Sequence, residues 1–283
     1  MMPESPEVQA LVEFIGGRVV GATVTGIDVL LPKALKTQHP PVSALIGCRV
    51  AGVRRHGKML DLATEQDDGT PLHLVVHWGH DGWLLWHDQV PDGLKKAGEA
   101  TLMARVRLDD GAGFDLTDDG QWKALSIFVV TDPADVPAIA RLGPDPVEDG
   151  FTEADLLGIV AGRRKQLKAL LQDQTALAGI GNAYSDEILH AAHLAPVTHA
   201  ANLHAEDVQR LYDAMRGILN EAMAARRGLP PESLKDQKRA DMRVHRRGGE
   251  PCTVCGDTIA DFTFSGAPAQ YCPTCQNAGA LLS

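Results

Sequence analysis

Apolar residues recur at helical spacing at Val8, Leu11, Val12 and Ile15, which predicts a short amphipathic helix over residues 4–16. From about residue 19 the period changes. The runs CRVAGV, HLVVHWG, GWLLWH, TLMARVRL and LSIFVV are short and β-rich, and DDG, PDG, DDGAG and TDDG turns separate them. Strands joined by tight turns up to about residue 132 read as an antiparallel sandwich or barrel. After RLGPDPVEDG, which reads as an interdomain connection, helical spacing returns. Thr152 and Asp155 offer a capping box before LLGIV, KQLKALLQ and NAYSDEILHAA follow, and Val208, Leu211, Met215, Ile218 and Leu219 share one face. The expected organisation is a sandwich with a leading helix over 1–133, a linker over 134–150, a helical domain with a basic linker over 151–247, and a cysteine-rich module over 248–283.

At 283 residues, with 44% hydrophobic and 23% charged residues, the chain has the makeup of a globular protein of two or three domains. It has no 18-residue apolar run and its N-terminus lacks a basic-then-apolar leader, so no membrane association is expected and the expected location is cytoplasmic. The net charge of −10 is unevenly spread. Residues 226–247 hold eight basic residues against three acidic ones, and GRRKQLK (residues 162–168) holds Arg163, Arg164, Lys165 and Lys168 with no acid. Two basic clusters in an acidic chain turn the reading from solvated faces toward phosphate binding.

CTVC at 252–255 and CPTC at 272–275 form two CxxC pairs sixteen residues apart. That spacing lets Cys252, Cys255, Cys272 and Cys275 surround one tetrahedral Zn²⁺, a closed and therefore structural site. Two disulfides are the alternative, disfavoured in a reducing compartment. Cys48, in a strand-like run, reads as a buried hydrophobe. In LAGIGNAYSDEIL, the glycines allow close backbone approach and Asn182 is placed to cap the helix from Ala183, either as a plain helix joint or as a phosphate site at a helix start.

MPESPEV at 2–8, RRHGK at 54–58, GIGNAYSDEIL at 179–189 and GEPCTVCG with YCPTCQ between 249 and 276 resemble the formamidopyrimidine-DNA glycosylase and endonuclease VIII family, in the family order over nearly the whole chain. The resemblance implies an α+β multidomain fold: an N-terminal antiparallel β-sandwich, a helix–two-turn–helix domain and a C-terminal four-cysteine zinc finger. It implies a bifunctional DNA glycosylase and abasic-site lyase acting on double-stranded DNA with damaged bases or abasic sites. Pro3 would be the nucleophile, forming a Schiff base at C1′ of the deoxyribose. Glu4 would protonate the ring oxygen, Glu7 would support it, and Lys58 would serve the DNA backbone and catalysis. Asn182 with Lys165 or Lys168 would hold phosphates.

Pro3 is a free amine only once Met1 and Met2 are gone, so Met2 is the expected biological start. Gln121 and Trp122 stand where the family carries an arginine–phenylalanine wedge, and His80 where a methionine wedge is common. The finger hairpin FTFSGAPAQY has Ala267 where an arginine is typical, leaving Arg246 or Arg247 to compensate. SLKDQKRADMRVHRR is shorter than the segment that caps the flipped base in 8-oxoguanine-type members, which points away from 8-oxoguanine as the main substrate. The expected cofactor is one structural Zn²⁺, the expected state a monomer, nucleoid-associated when bound. The alternative reading is a non-catalytic damaged-DNA-binding protein; a zinc-ribbon recruiter is weaker still.

Overall fold

A computed structural model describes residues 2–93 and 102–282; Met1, whose removal is at issue, lies outside them. The chain divides into two compact units, Met1–Arg141 with Arg226–Lys235, and Leu142–Ala225 with Asp236–Ser283.

The first unit opens with helix α1 (Ser5–Val19), a little longer than its apolar periodicity predicts. Eight antiparallel strands follow among the described residues: β1 (Val24–Val29), β2 (Arg49–His56), β3 (Met59–Glu65), β4 (Pro71–His77), β5 (Gly82–His87), β6 (Leu102–Leu108), β7 (Gly113–Asp118) and β8 (Ser126–Val130). They form two four-stranded sheets, ordered β1-β6-β7-β5 and β2-β3-β4-β8. Period-2 alternation turns Leu72, Leu74 and Val76 inward from β4, and Val106, Phe114 and Leu116 inward from the other sheet. All join one core with Val8, Leu11, Val12 and Ile15 of α1, so the sandwich expected from the pattern is present. Residues 226–235, expected in the helical domain, belong to this unit instead, because Leu234 is buried in its core and Leu229 packs against it.

The second unit holds α2 (Glu153–Val160), α3 (Leu167–Leu171), α4 (Asn182–Ala191), most of α5 (Ala205–Arg226) and the end of α6 (Pro231–Asp241). Thr152 caps α2 through the expected box with Asp155. Leu170, Leu177, Tyr184, Ile188, Leu211 and Met215 form its core. The same unit contains the hairpin β9 (Ala260–Phe264) and β10 (Ala267–Tyr271) and the short α7 (Pro273–Asn277). Ser265 and Gly266, both at positive φ (50° and 80°), make the two-residue turn of that hairpin. Among the described residues no helix is long and apolar enough to cross a membrane.

Candidate functional site

In the first unit the sequence-predicted residues meet at one rim of the sandwich. Gly57 and Lys58 make the turn between β2 and β3, with Gly57 at φ 55°. The ladder sets Met59 beside His77, and His77 beside Ser126. The 78–82 loop with His80 and the 119–125 loop with Gln121 and Trp122 therefore leave the same edge. They touch: a Cβ on Gly79 (φ 60°) would stand 2.7 Å from the Ala124 carbonyl carbon, so only glycine fits there. Asp118 holds the second loop from inside, its carboxylate accepting from Gly120 N and Leu125 N, each at 2.8 Å. Trp122, by contrast, is 79% exposed. Burial, reinforced by the charges of Lys58 and His80, holds the His77 imidazole below its ordinary pKa.

Helix α1 brings Pro3 and Glu4 to this rim. Glu4 is the N-cap residue and is buried, and its backbone N–H donates to Glu7 Oε2 at 3.0 Å. Glu7 in turn pairs with the buried Arg226, Nε to Oε1 2.8 Å. Arg55 joins the two segments: Nη1 donates to Gly57 O at 3.0 Å and to Ser5 Oγ at 3.5 Å, while Nε donates to Gln9 Oε1 at 3.1 Å. One guanidinium thus ties the start of α1 to the Lys58 turn. Sequence reasoning missed the roles of Arg55 and Arg226, both lost among charge clusters; the only local signal was Glu7 three residues after Glu4, a capping-box spacing.

In the second unit the structure separates the two lysines. Lys165 is exposed and pairs with Asp173 at 2.6 Å. Lys168 is fully buried, against the expectation of a phosphate ligand: its Nζ reaches Asp186 Oδ1 at 2.6 Å, Ser185 Oγ at 2.8 Å and Asn182 O at 3.2 Å. An ammonium removed from solvent with a carboxylate partner ties α3 to the first turns of α4 and is not open to a DNA phosphate. Gly181, one residue earlier than expected, caps α4, and Asn182 is its first residue. The Asn182 amide accepts from Gln172 Nε2 at 3.2 Å and donates to Pro268 O of the finger hairpin at 2.9 Å.

Within α4 the buried Glu187 carboxylate accepts three successive backbone N–H groups, from Arg243, Val244 and His245, at 2.8–3.0 Å. Burial nonetheless raises the Glu187 pKa. This bend presents Arg246, which is exposed with φ 62° and whose N–H is fixed by Gln270 Oε1 at 2.7 Å. Arg247 is half-buried and paired with Glu250. The basic run is thus less available than its charge suggested, since Arg226 and Lys238 are buried and Arg243 pairs with Glu221.

The finger thiols converge. Cys252 and Cys275 Sγ lie 3.9 Å apart, and Cys255 and Cys272 Sγ 3.4 Å. A tetrahedral site with Zn–S near 2.3 Å puts sulfurs about 3.8 Å apart, so the donor set fits such an ion. Asp257 Oδ2 links the two knuckles by accepting from Thr274 N and Oγ1. His190 of α4, missed in the sequence, joins Cys252, Cys272 and Cys275 in a cluster whose ligand atoms lie within 4.8 Å of one another. Its signal was a polar residue among the buried positions of a helix.

An antiparallel sandwich with a charged rim, a helical unit and a thiol finger define a multidomain helix–two-turn–helix protein with a structural metal. Three domain families match: the formamidopyrimidine-DNA glycosylase N-terminal domain over 2–121, its H2TH domain over 142–230, and the zinc finger found in FPG and IleRS over 249–278. A formamidopyrimidine-DNA glycosylase from Heliobacterium modesticaldum is 34% identical over 282 residues, covering 97% of this chain and 100% of that one. An uncharacterized formamidopyrimidine-DNA glycosylase-like protein of Mycobacterium tuberculosis is 42% identical over 53% of this chain and 94% of its own. The MutM (Fpg) structure from Thermus thermophilus superposes with a TM-score of 0.80 at 28% identity, covering 97% of this chain and 98% of that one. Lactococcus lactis Fpg in complex with abasic-site DNA gives 0.84 at 23% identity, a likeness of fold, over 97% and 99%. The chain belongs to the formamidopyrimidine-DNA glycosylase family.

Proposed function

We infer that this DNA repair glycosylase excises damaged bases from double-stranded DNA and cleaves abasic sites through an N-terminal proline amine. With Met1 and Met2 removed, Pro3 becomes a secondary amine, with the α-amino reference pKa of about 8, so part of it is unprotonated at neutral pH. Its nitrogen attacks C1′ as the bond from C1′ to the base breaks, and the N–H proton goes to the departing base. The lone pair so restored then becomes the C=N⁺ bond of a Schiff base as the bond from C1′ to the ring oxygen breaks and the sugar opens. Glu4 gives its proton to the ring oxygen. Elimination from the imine then expels a phosphate and nicks the strand.

The observation that carries this reading is the Arg55 fork, which fixes the start of α1 against the Lys58 turn. On this reading Pro3, Glu4 and Lys58 would present their amine, carboxyl and ammonium groups at one rim, and Gln121 and Trp122 would fill the gap left by a flipped base. Arg246, Asn182 and Lys165 would contact phosphates, with Arg246 standing in for the arginine missing from the hairpin turn. Cys252, Cys255, Cys272 and Cys275 would hold one Zn²⁺, which supplies a cross-link rather than reaction chemistry, and the protein would act as a monomer on the nucleoid.

Borohydride trapping on a duplex with one abasic site tests this, using protein started at Met2 with its N-terminus checked by mass. A covalent adduct much reduced in Pro3→Gly is expected. An undiminished adduct would move the nucleophile to Lys58. Tight, salt-sensitive binding without any adduct would leave a non-catalytic reader of damaged DNA.

A further inference from the structure

His190 sits in the last turn of α4, buried, with Nε2 3.2 Å from Cys252 Sγ. The four cysteines already supply a full tetrahedral set, and the Cys252–Cys275 and Cys255–Cys272 separations suit it. The separation of Nε2 from Sγ is that of a hydrogen bond to a thiolate. We propose that His190 is a positioning residue for the finger metal: its Nε2–H donates to the Cys252 thiolate and locks the metal cluster onto helix α4.

The consequence lies at the other end of the same helix. Asn182, its first residue, donates to Pro268 O of the finger hairpin at 2.9 Å. Midway along the helix, Asp186 accepts from His245 Nδ1 at 2.7 Å and from Gln270 N at 3.4 Å, and Gln270 fixes the Arg246 backbone. Helix α4 therefore holds the finger at its first residue, its middle and its last turn. Metal occupancy sets the position of the hairpin against Asn182, and His190 transmits it. A metal-ligating thiolate that accepts an N–H is also less electron-rich, so the bond tunes the metal as well as placing it.

The inference rests on the finger binding a metal, and the test separates the two. Full-length wild type, His190→Phe and His190→Gln are loaded with Zn²⁺ and titrated against a chromogenic chelator, then reloaded with Co²⁺ for absorption spectra. Glutamine keeps an N–H near the position of Nε2; phenylalanine keeps the ring volume without it. Expected are a four-thiolate Co²⁺ spectrum in all three, a metal affinity about 10–100-fold weaker in His190→Phe, substantial recovery in His190→Gln, and a red shift of the sulfur-to-cobalt band only in the phenylalanine variant. A three-thiolate spectrum in wild type that persists in Cys255→Ser would make His190 a ligand and overturn the proposal. So would equal affinities and band positions across the three proteins, or a loss that glutamine does not rescue. Wild type that binds neither metal would instead overturn the metal reading itself.

Discussion

The carboxylate of Glu7 is shared between two partners of different kinds: Oε2 accepts the N–H of Glu4 at 3.0 Å, and Oε1 meets the buried guanidinium of Arg226 at 2.8 Å. The residue proposed to donate a proton is thus positioned by a chain that begins at the far end of α5. Both Glu7 and Arg226 are out of solvent, so removing one strands the other's charge. Arg226→Met should cost about 3–5 kcal/mol, read as a lower urea midpoint. Trapping of an abasic-site duplex, measured well below that midpoint, should also fall, because α1 loses the anchor of its first turn. Unchanged stability would show that the pair is solvated.

Glu4 and Glu7 form a reciprocal capping box, the Glu4 N–H donating to Glu7 Oε2 and the Glu4 side chain accepting from the Glu7 backbone. A glutamine keeps an acceptor for that second bond while losing the proton to donate. Glu4→Gln should therefore keep the fold and the affinity for damaged duplex while lowering the base-excision rate by about 10²–10⁴-fold, the range for removing a general acid. Single-turnover excision and a binding titration on the same duplex check it. A parallel loss of binding would mean that the carboxylate holds DNA instead.

Much of this rim was readable in advance and much of the second unit was not. The helix over Val8, Leu11, Val12 and Ile15 and the alternating strands are local patterns that persist in the structure, and the thiols of the two CxxC motifs come together in it. Lys168 misled because a lysine beside Arg163, Arg164 and Lys165 reads as solvated, while its partner Asp186 comes eighteen residues later on another helix. Arg226 misled in the same way, since its partner Glu7 lies near the opposite end of the sequence. Local spacing carries periodicity and ligand pairs; it does not carry which member of a charge run is drawn inside.

That distinction separates Lys168 from Arg246 by experiment. Lys168→Met leaves Asp186 buried beside His245 and should lower the unfolding midpoint strongly, by the same class of effect, about 3–5 kcal/mol. Arg246→Ala should leave stability within about 0.5 kcal/mol. It should reduce the slope of log affinity against log salt by about 0.9, the signature of one lost phosphate contact. An unchanged slope would remove Arg246 from the DNA interface.

Among the described residues of the first unit, Trp122 is the most exposed large apolar side chain, on a loop whose backbone Asp118 fixes from within. An indole held outward adds little to the stability of the fold, so its loss is read in binding. Trp122→Ala should be neutral for stability yet weaken binding to a lesion duplex by roughly 1–3 kcal/mol, the range for one base–aromatic stack. Single-stranded and lesion duplexes should be compared at fixed salt; equal binding by variant and wild type would leave the wedge role to Gln121 or His80.

His77 gives the first unit a pH dependence of known sign. Burial, with Lys58 and His80 adding positive charge, depresses its folded pKa. The unfolded chain, with a histidine near about 6.5, binds a proton that the folded chain refuses. Stability is therefore intact above about pH 6.5 and falls as pH drops through that value toward the folded pKa. Urea midpoints at about pH 7.5 and about pH 5 should differ in that direction, and His77→Gln, which keeps a polar side chain that cannot titrate, should narrow the difference. A difference of the same size in the variant would assign the acid sensitivity to another group.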